Sequence, residues 1–180
     1  MHRLFVALRP PEAIRDRLLD VTSAIPGARW QDEDQLHITL NFIGSVDGRL
    51  AEDIASALST IHAPALDLRI AGVGCFGTRG RVSTLWAGVA PREPITALHH
   101  KVKAALTRAG APVKHRAYLP HLTLARLSAT REAVEPFLRD HAALASPAFT
   151  VREFGLFESH LSASGARYEQ VMAVPLAQLR

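Results

Sequence analysis

Apolar positions recur along this chain with two periods, two and about 3.6, and the changes between them mark its elements. Residues 3–8 alternate weakly and predict a first strand. Pro10-Pro11-Glu12 suits a helix start, because proline is tolerated in a first turn. Ala13, Ile14, Leu18 and Val21 then recur at helical spacing, opposite Arg15, Asp16 and Arg17, until Pro26-Gly27 breaks the pattern. Residues 36–43 alternate and predict a strand closed by Gly44. Asp47 or Gly48 begins a second helix through Ala51, Ile54, Ala55 and Leu58. Leu66 to Phe76 reads as a strand with glycine kinks at Gly72 and Gly74. Thr78-Arg79-Gly80-Arg81 reads as a turn, and Val82 to Val89 as the next strand. Glu93 to Ala109 is the clearest helix, with Ile95, Leu98, Val102, Ala105 and Leu106 on one face and Gly110 at its end. Residues 119–125 predict a strand, and Thr130 to His141 a helix containing Pro136, a source of a kink. Phe149 to Phe157 and Tyr168 to Val174 complete the pattern as a strand pair.

Two of these strands carry the same four residues. His37-Ile38-Thr39-Leu40 and His121-Leu122-Thr123-Leu124 are each His, apolar, Thr, apolar. Successive side chains on a strand point to opposite faces, so each strand shows a His and a Thr on one face and buries two aliphatic groups behind them. The copies stand 84 residues apart (121 − 37 = 84), near half of the 180-residue chain, and a helix follows each at similar distance. The expectation is one α+β domain of two pseudo-symmetric lobes, residues 1–90 and 91–180. Each lobe would be a mostly antiparallel sheet with outer helices. The lobes would face each other across a central cleft lined by the two motif strands.

Composition narrows the class. Hydrophobic residues make up 48% of the chain, ordinary for a protein with a real core. The single cysteine, Cys75, excludes a disulfide within the chain and a cysteine cluster for zinc, and reads as a buried or half-buried side chain. No stretch approaches the ~20 apolar residues that cross a bilayer. The N-terminal apolar run is too short for a signal peptide and meets Arg9 and Pro10 at once. A soluble cytoplasmic protein is expected, with no membrane association. The absence of a coiled-coil heptad makes a monomer without an obligate protein partner the default. The formal charge of +4 favours anionic partners such as nucleic acid or nucleotides, although the basic residues are spread along the chain.

The paired motifs fit acid–base chemistry on a phosphate. Cleavage of a phosphodiester by water needs a base for water, an acid for the leaving oxygen, and donors for the phosphoryl oxygens. Imidazole suits both proton roles, because a pKa of roughly 6.5 leaves both forms populated near neutrality. Each positioned acid or base contributes roughly 10²–10⁴-fold. Thr39 and Thr123 share the faces of His37 and His121 and can donate to phosphate oxygens. The residues alone leave acid and base interchangeable. No HExxH or Cys/His zinc pattern exists, so neither a metal nor a cofactor is expected. His62, His99, His100, His141 and His160 lack partner spacing and read as structural or surface groups. Lys114-His115-Arg116, Arg79 and Arg81 read either as contacts to an RNA backbone or as solvated basic loops.

With these motifs and their flanks the chain resembles the two-histidine phosphoesterases, and within them the RNA 2′,3′-cyclic phosphodiesterases of bacteria and archaea, also called 2′-5′ RNA ligases. The resemblance runs through Arg3-Leu4-Phe5-Val6-Ala7, Trp30, Leu36 to Gly44, Leu85-Trp86-Ala87-Gly88-Val89, Pro120 to Arg126, and Ser159 through Gly165 to Tyr168. It implies hydrolysis of an RNA 2′,3′-cyclic phosphate to a 2′-phosphomonoester. It also implies His37 as proton donor, His121 as proton acceptor, and Thr39 and Thr123 as phosphate ligands. Arg126 matches a family arginine near the phosphate. Strict alternation from His121 turns Arg126 away from the cleft, so that role requires a bulge or strand end. Phe42 matches a family aromatic that stacks on a base, and reads equally as a core residue. The same residues would serve a ligase joining tRNA halves by a 2′-5′ bond. An RNA- or nucleotide-binding module without turnover is the alternative from another class.

Overall fold

The computed structural model describes residues 1–114, 116–163 and 165–177. In chain order the elements are β1 (His2–Leu8), α1 (Glu12–Leu19), β2 (Arg29–Trp30), β3 (Ile38–Val46), α2 (Gly48–Ser59), β4 (Leu66–Thr78) and β5 (Arg81–Ala90). They continue with α3 (Glu93–Arg108), β6 (His121–Thr130), α4 (Arg131–Asp140), β7 (Phe149–Val151), β8 (Glu153–Ser162) and β9 (Gly165–Pro175). The α+β class and the antiparallel pairing are as expected. The strand order is β7-β4-β5-β6-β3-β1-β8-β9, with β2 paired to β6 off this path.

The expected division at residue 90 does not hold. One half of the sheet is β3-β1-β8-β9 and the other is β7-β4-β5-β6, so both draw strands from both ends of the chain. The cause is pairing on both edges of β1, which takes β3 on one side and the C-terminal strand β8 on the other. The run expected as one strand from Phe149 to Phe157 divides at Arg152 for the same reason. Phe149–Val151 pairs with β4, and the chain then crosses to β1.

The elements form where local chemistry dictates. Asp47 caps α2 by accepting a hydrogen bond from the Leu50 amide at 2.8 Å. The turn between β4 and β5 places Arg79 and Gly80 at positive φ, 51° and 76°, the geometry of a two-residue hairpin. The helix expected to run to Pro26 ends at Leu19, and Val21 and Ile25 are buried from the loop instead. Helix α3 buries Ile95, Leu98, Val102, Ala105 and Leu106 and packs on β3 and α2. Helix α4 buries Val134 and Phe137 against β5 and β6. Truncating a fully buried side chain such as Leu106 to Ala would cost about 2–5 kcal/mol. Among the described residues no helix is long and apolar enough to cross a membrane.

Candidate active site

The two halves meet where β3 and β6 touch, and their register there is one antiparallel pair, Ile38 with Leu122. Antiparallel geometry then sets His37 opposite Thr123 and Thr39 opposite His121. The four motif side chains thus surround one point in a two-fold arrangement. Ile38 and Leu122 are fully buried behind them, as are Leu36, Leu40 and Leu124.

Beyond the motifs both strands break phase at the same place. On β3 the partners of Val6 and Ala7 are Asn41 and Thr39, so Leu40 is an extra residue. On β6 the partners of Leu85 and Trp86 are Ala125 and Thr123, so Leu124 is extra. Each bulge leaves two successive residues buried, Leu40 with Asn41 and Leu124 with Ala125. The side chain five residues after each His therefore returns to the cleft face. This is the bulge that Arg126 required, and β3 carries its counterpart at Phe42. Phe42 is 39% exposed, which rules out a core role.

His37, Thr39, Phe42, His121, Thr123 and Arg126 all line one cleft of about 220 Å³. A larger adjoining cavity of about 600 Å³ shares Thr39, Phe42, His121 and Arg126 with it and is bordered by Lys114 and Arg116. Lys114 Nζ lies 5.9 Å from the Phe42 ring centroid. His115 lies outside the described residues. Arg79 sits in the hairpin turn, and Arg81 donates to the Ser128 hydroxyl and carbonyl at 3.1 and 2.7 Å.

The histidines occupy different surroundings. His37 lies 4.9 Å from Phe5 and 5.3 Å, edge-on, from Tyr168. Burial lowers its pKa to about 4 against an opposing hydrogen bond to the Gln35 backbone, and the charges of His121, Arg126 and Arg9 add to the lowering. His121 meets Phe76 edge-on at 4.9 Å and Trp86 at 6.1 Å. Burial lowers its pKa as well, opposed by the Leu119 carbonyl and reinforced by Arg126. His121 Nδ1 lies 2.7 Å from that carbonyl, which can only accept, so Nδ1 carries the proton and Nε2 of the neutral ring is free to accept one. Arg126 Nη1 donates to the buried Thr84 hydroxyl at 3.2 Å, which aims the guanidinium along the cleft.

Sequence reasoning did not assign roles to several cleft residues. Arg3 and Phe5 reach the site because odd positions of β1 face it, an alternation legible in residues 3–8. Gly74, expected as a kink, makes room instead: a β-carbon there would collide with the Trp86 ring. Gly72, at φ 73°, is the kink, next to a register shift. Cys75 is half-buried as expected, and Arg131 donates to its sulfur at 3.2 Å. Among the described residues no group of three or more His, Cys, Asp or Glu side chains could hold a metal ion.

The RNA 2′,3′-cyclic phosphodiesterase of Archaeoglobus fulgidus is 28% identical over 172 residues, covering 94% of this chain and 97% of that protein. The Escherichia coli protein of the same name is 27% identical over 184 residues, covering 98% and 97%. A third, from Geobacillus stearothermophilus, is 29% identical over 159 residues, and the chain spans about half (50%) of its length. Among solved structures, a phosphoesterase superposes with a TM-score of 0.78 at 25% identity, over 99% of this chain and 100% of that one. Escherichia coli LigT in its apo form shares the fold, with a TM-score of 0.79 at 24% identity and 98% coverage of each. The family model of the 2′-5′ RNA ligase superfamily matches residues 8–162, which include both motif strands and most of the sheet that holds them, and the chain belongs to that superfamily.

Proposed function

We propose that this protein hydrolyses the 2′,3′-cyclic phosphodiester at an RNA 3′ end to a 2′-phosphomonoester, without a metal ion. The observation that carries the reading is the crossed register, which gathers two His–Thr pairs around one point in one cleft. A cyclic phosphate seated there meets the Thr39 and Thr123 hydroxyls and the Arg126 guanidinium, donors suited to its two non-bridging oxygens. Water attacks phosphorus and gives its proton to Nε2 of His121. The bond from phosphorus to the 3′ oxygen breaks, and His37 protonates that oxygen. One proton is taken and one given, so the pair must be reset between turnovers.

The two protonation states follow from the surroundings. The Leu119 carbonyl holds the His121 tautomer that leaves Nε2 to accept the proton from water, and the Gln35 backbone bond holds His37 in the same way, so the division of roles rests on the family resemblance rather than on the tautomers. His37 is neutral near pH 7 in the free cleft, with a pKa of about 4. An anionic phosphate beside it favours the imidazolium, so substrate binding itself loads the acid. Phe42, exposed beside the phosphate position, offers a ring on which the terminal base stacks.

The test is incubation of the purified protein, in EDTA, with a short RNA ending in a 2′,3′-cyclic phosphate, with products resolved as 2′- or 3′-phosphate. Conversion to the 2′-phosphate, lost by roughly 10²-fold or more in His37→Ala and in His121→Ala, is the expected result. Joining of RNA ends in preference to hydrolysis would move the reading to ligation. Binding that survives both substitutions without any turnover would leave a binding module.

A further inference from the structure

Beyond the single Ile38–Leu122 pair, β3 and β6 separate, and the backbone polar groups on each strand need new partners. On β6 a short strand supplies them. Arg29 and Trp30 of β2 pair with Arg126 and Ala125, and the Gln31 amide donates to the Leu124 carbonyl at 2.8 Å. On β3 the equivalent carbonyls, Thr39 and the bulged Leu40, are met by side chains. Tyr118 donates its hydroxyl to the Thr39 carbonyl at 3.0 Å. His99, buried on α3, places Nδ1 2.7 Å from the Leu40 carbonyl. The Asn41 amide, turned with its nitrogen toward Leu40, reaches the same carbonyl at 3.1 Å. The Tyr118 and His99 rings lie parallel, 4° apart in plane and 4.0 Å between centroids.

We infer that Tyr118 and His99 are positioning residues that brace β3 in place of the missing strand partner, and so fix Thr39 and Phe42 relative to His121. Tyr118 is placed for this because it belongs to the segment leading into the second motif. Two residues later begins the Pro120-His121 step, and the intervening Leu119 carbonyl holds the His121 ring. One four-residue stretch therefore grips the backbone of the first motif with Tyr118 and carries the histidine of the second. Burial raises the Tyr118 pKa, which keeps its hydroxyl protonated as a donor. Burial lowers the His99 pKa, against the Leu40 carbonyl bond, which keeps the ring neutral, with Nδ1 as the donor. Neither ring needs to touch substrate to act in this way. Misplacement of a reacting group by about 1 Å costs up to about 10²-fold in rate, so a brace on the phosphate-binding strand acts on turnover.

The inference rests on the proposed reading of the cleft, and the experiment separates the two. Tyr118→Phe removes the hydroxyl and keeps the stack on His99. On an RNA ending in a 2′,3′-cyclic phosphate, kcat should fall about tenfold, with KM raised no more than severalfold. His99→Gln, which keeps a donor for the Leu40 carbonyl, should retain severalfold more activity than His99→Leu. An unchanged kcat in Tyr118→Phe, or a loss that merely tracks the unfolded fraction at the assay temperature, would overturn the brace. If the wild type turns over no cyclic phosphate, the reading of the cleft fails and the brace is judged by inorganic phosphate binding, followed through the imidazole resonances of His37 and His121. A severalfold weaker affinity in Tyr118→Phe then supports it, and an equal affinity sinks it.

Discussion

Strands β3 and β6 carry the same motif, the same bulge and a helix at a similar distance, yet they present different chemistry to the cleft. Five residues after its histidine, β3 offers the exposed Phe42 ring and β6 the Arg126 guanidinium. The histidines differ in the same way. Each is held by a backbone group two residues before it, Gln35 or Leu119, but His37 is enclosed by Phe5 and Tyr168, with its pKa lowered to about 4, while His121 meets Phe76 and Trp86. In the proposed reading, repetition of a motif builds the symmetric frame of donors around a phosphate, and the side chains around each copy decide which one gives a proton, which takes one, and which end of the cleft favours a base over a charge.

The sharpest way to break this comparison is a substrate that needs no acid. On a cyclic phosphate, His37→Ala and His121→Ala should both lose roughly 10²–10⁴-fold. On a p-nitrophenyl phosphodiester the leaving nitrophenolate departs unprotonated, so His37→Ala should recover most of its activity and His121→Ala should not. Equal recovery by both variants would mean that the roles are not divided between the two imidazoles in this way.

The pair five residues on should separate by kinetic parameter. Arg126→Met removes charge from the phosphate end and should lower kcat/KM by about 10²–10³-fold, mostly in kcat. Phe42→Ala should raise KM about tenfold with kcat nearly kept, since base stacking contributes about 1–3 kcal/mol. Matching effects on kcat from both substitutions would contradict the contrast between the two ends.

A stability measurement sharpens the histidine contrast without substrate. His37 binds its proton near pH 6.5 when unfolded and near pH 4 when folded. Between those values the unfolded chain holds more protons, so stability rises with pH. The contribution of neutral His37 is complete above about pH 6.5 and is lost as pH falls toward 4, to the order of 3 kcal/mol. Thermal midpoints from pH 7 to pH 4 should therefore fall more steeply in the wild type than in His37→Gln. Parallel slopes would mean that His37 is not held neutral by burial.

The smallest expected difference lies in the helices that follow the two strands. Asp47 caps α2, whereas Thr130 makes no side-chain capping hydrogen bond at α4. Asp47→Ala should cost about 1 kcal/mol in urea unfolding, and Thr130→Ala clearly less, with kcat unchanged in both. Equal losses would show that the second helix start is as dependent on its cap as the first.

Much of the site was legible in the chain because the information is local. Alternation through His37-Ile38-Thr39-Leu40 and its copy at His121 fixes which side chains share a face. Apolar spacing from Ile95 to Leu106 fixes a buried helical face, and Arg79-Gly80 fixes a hairpin. The shared face of each His–Thr pair, the α+β class and the antiparallel strands follow from these features and from the family resemblance. What the periods could not reveal is pairing between distant segments. The interleaving of the halves depends on β1 accepting β8 from the far end of the chain. The crossed register at Ile38 and Leu122, and the bulges that return Phe42 and Arg126 to the cleft, depend on which residues of β1 and β5 stand opposite. His99 and Tyr118 show the limit most plainly. A histidine on a helix and a tyrosine in a loop carry no periodic signal. Their place at the Thr39 and Leu40 carbonyls exists only because two strands part there and leave backbone acceptors that buried donors must satisfy.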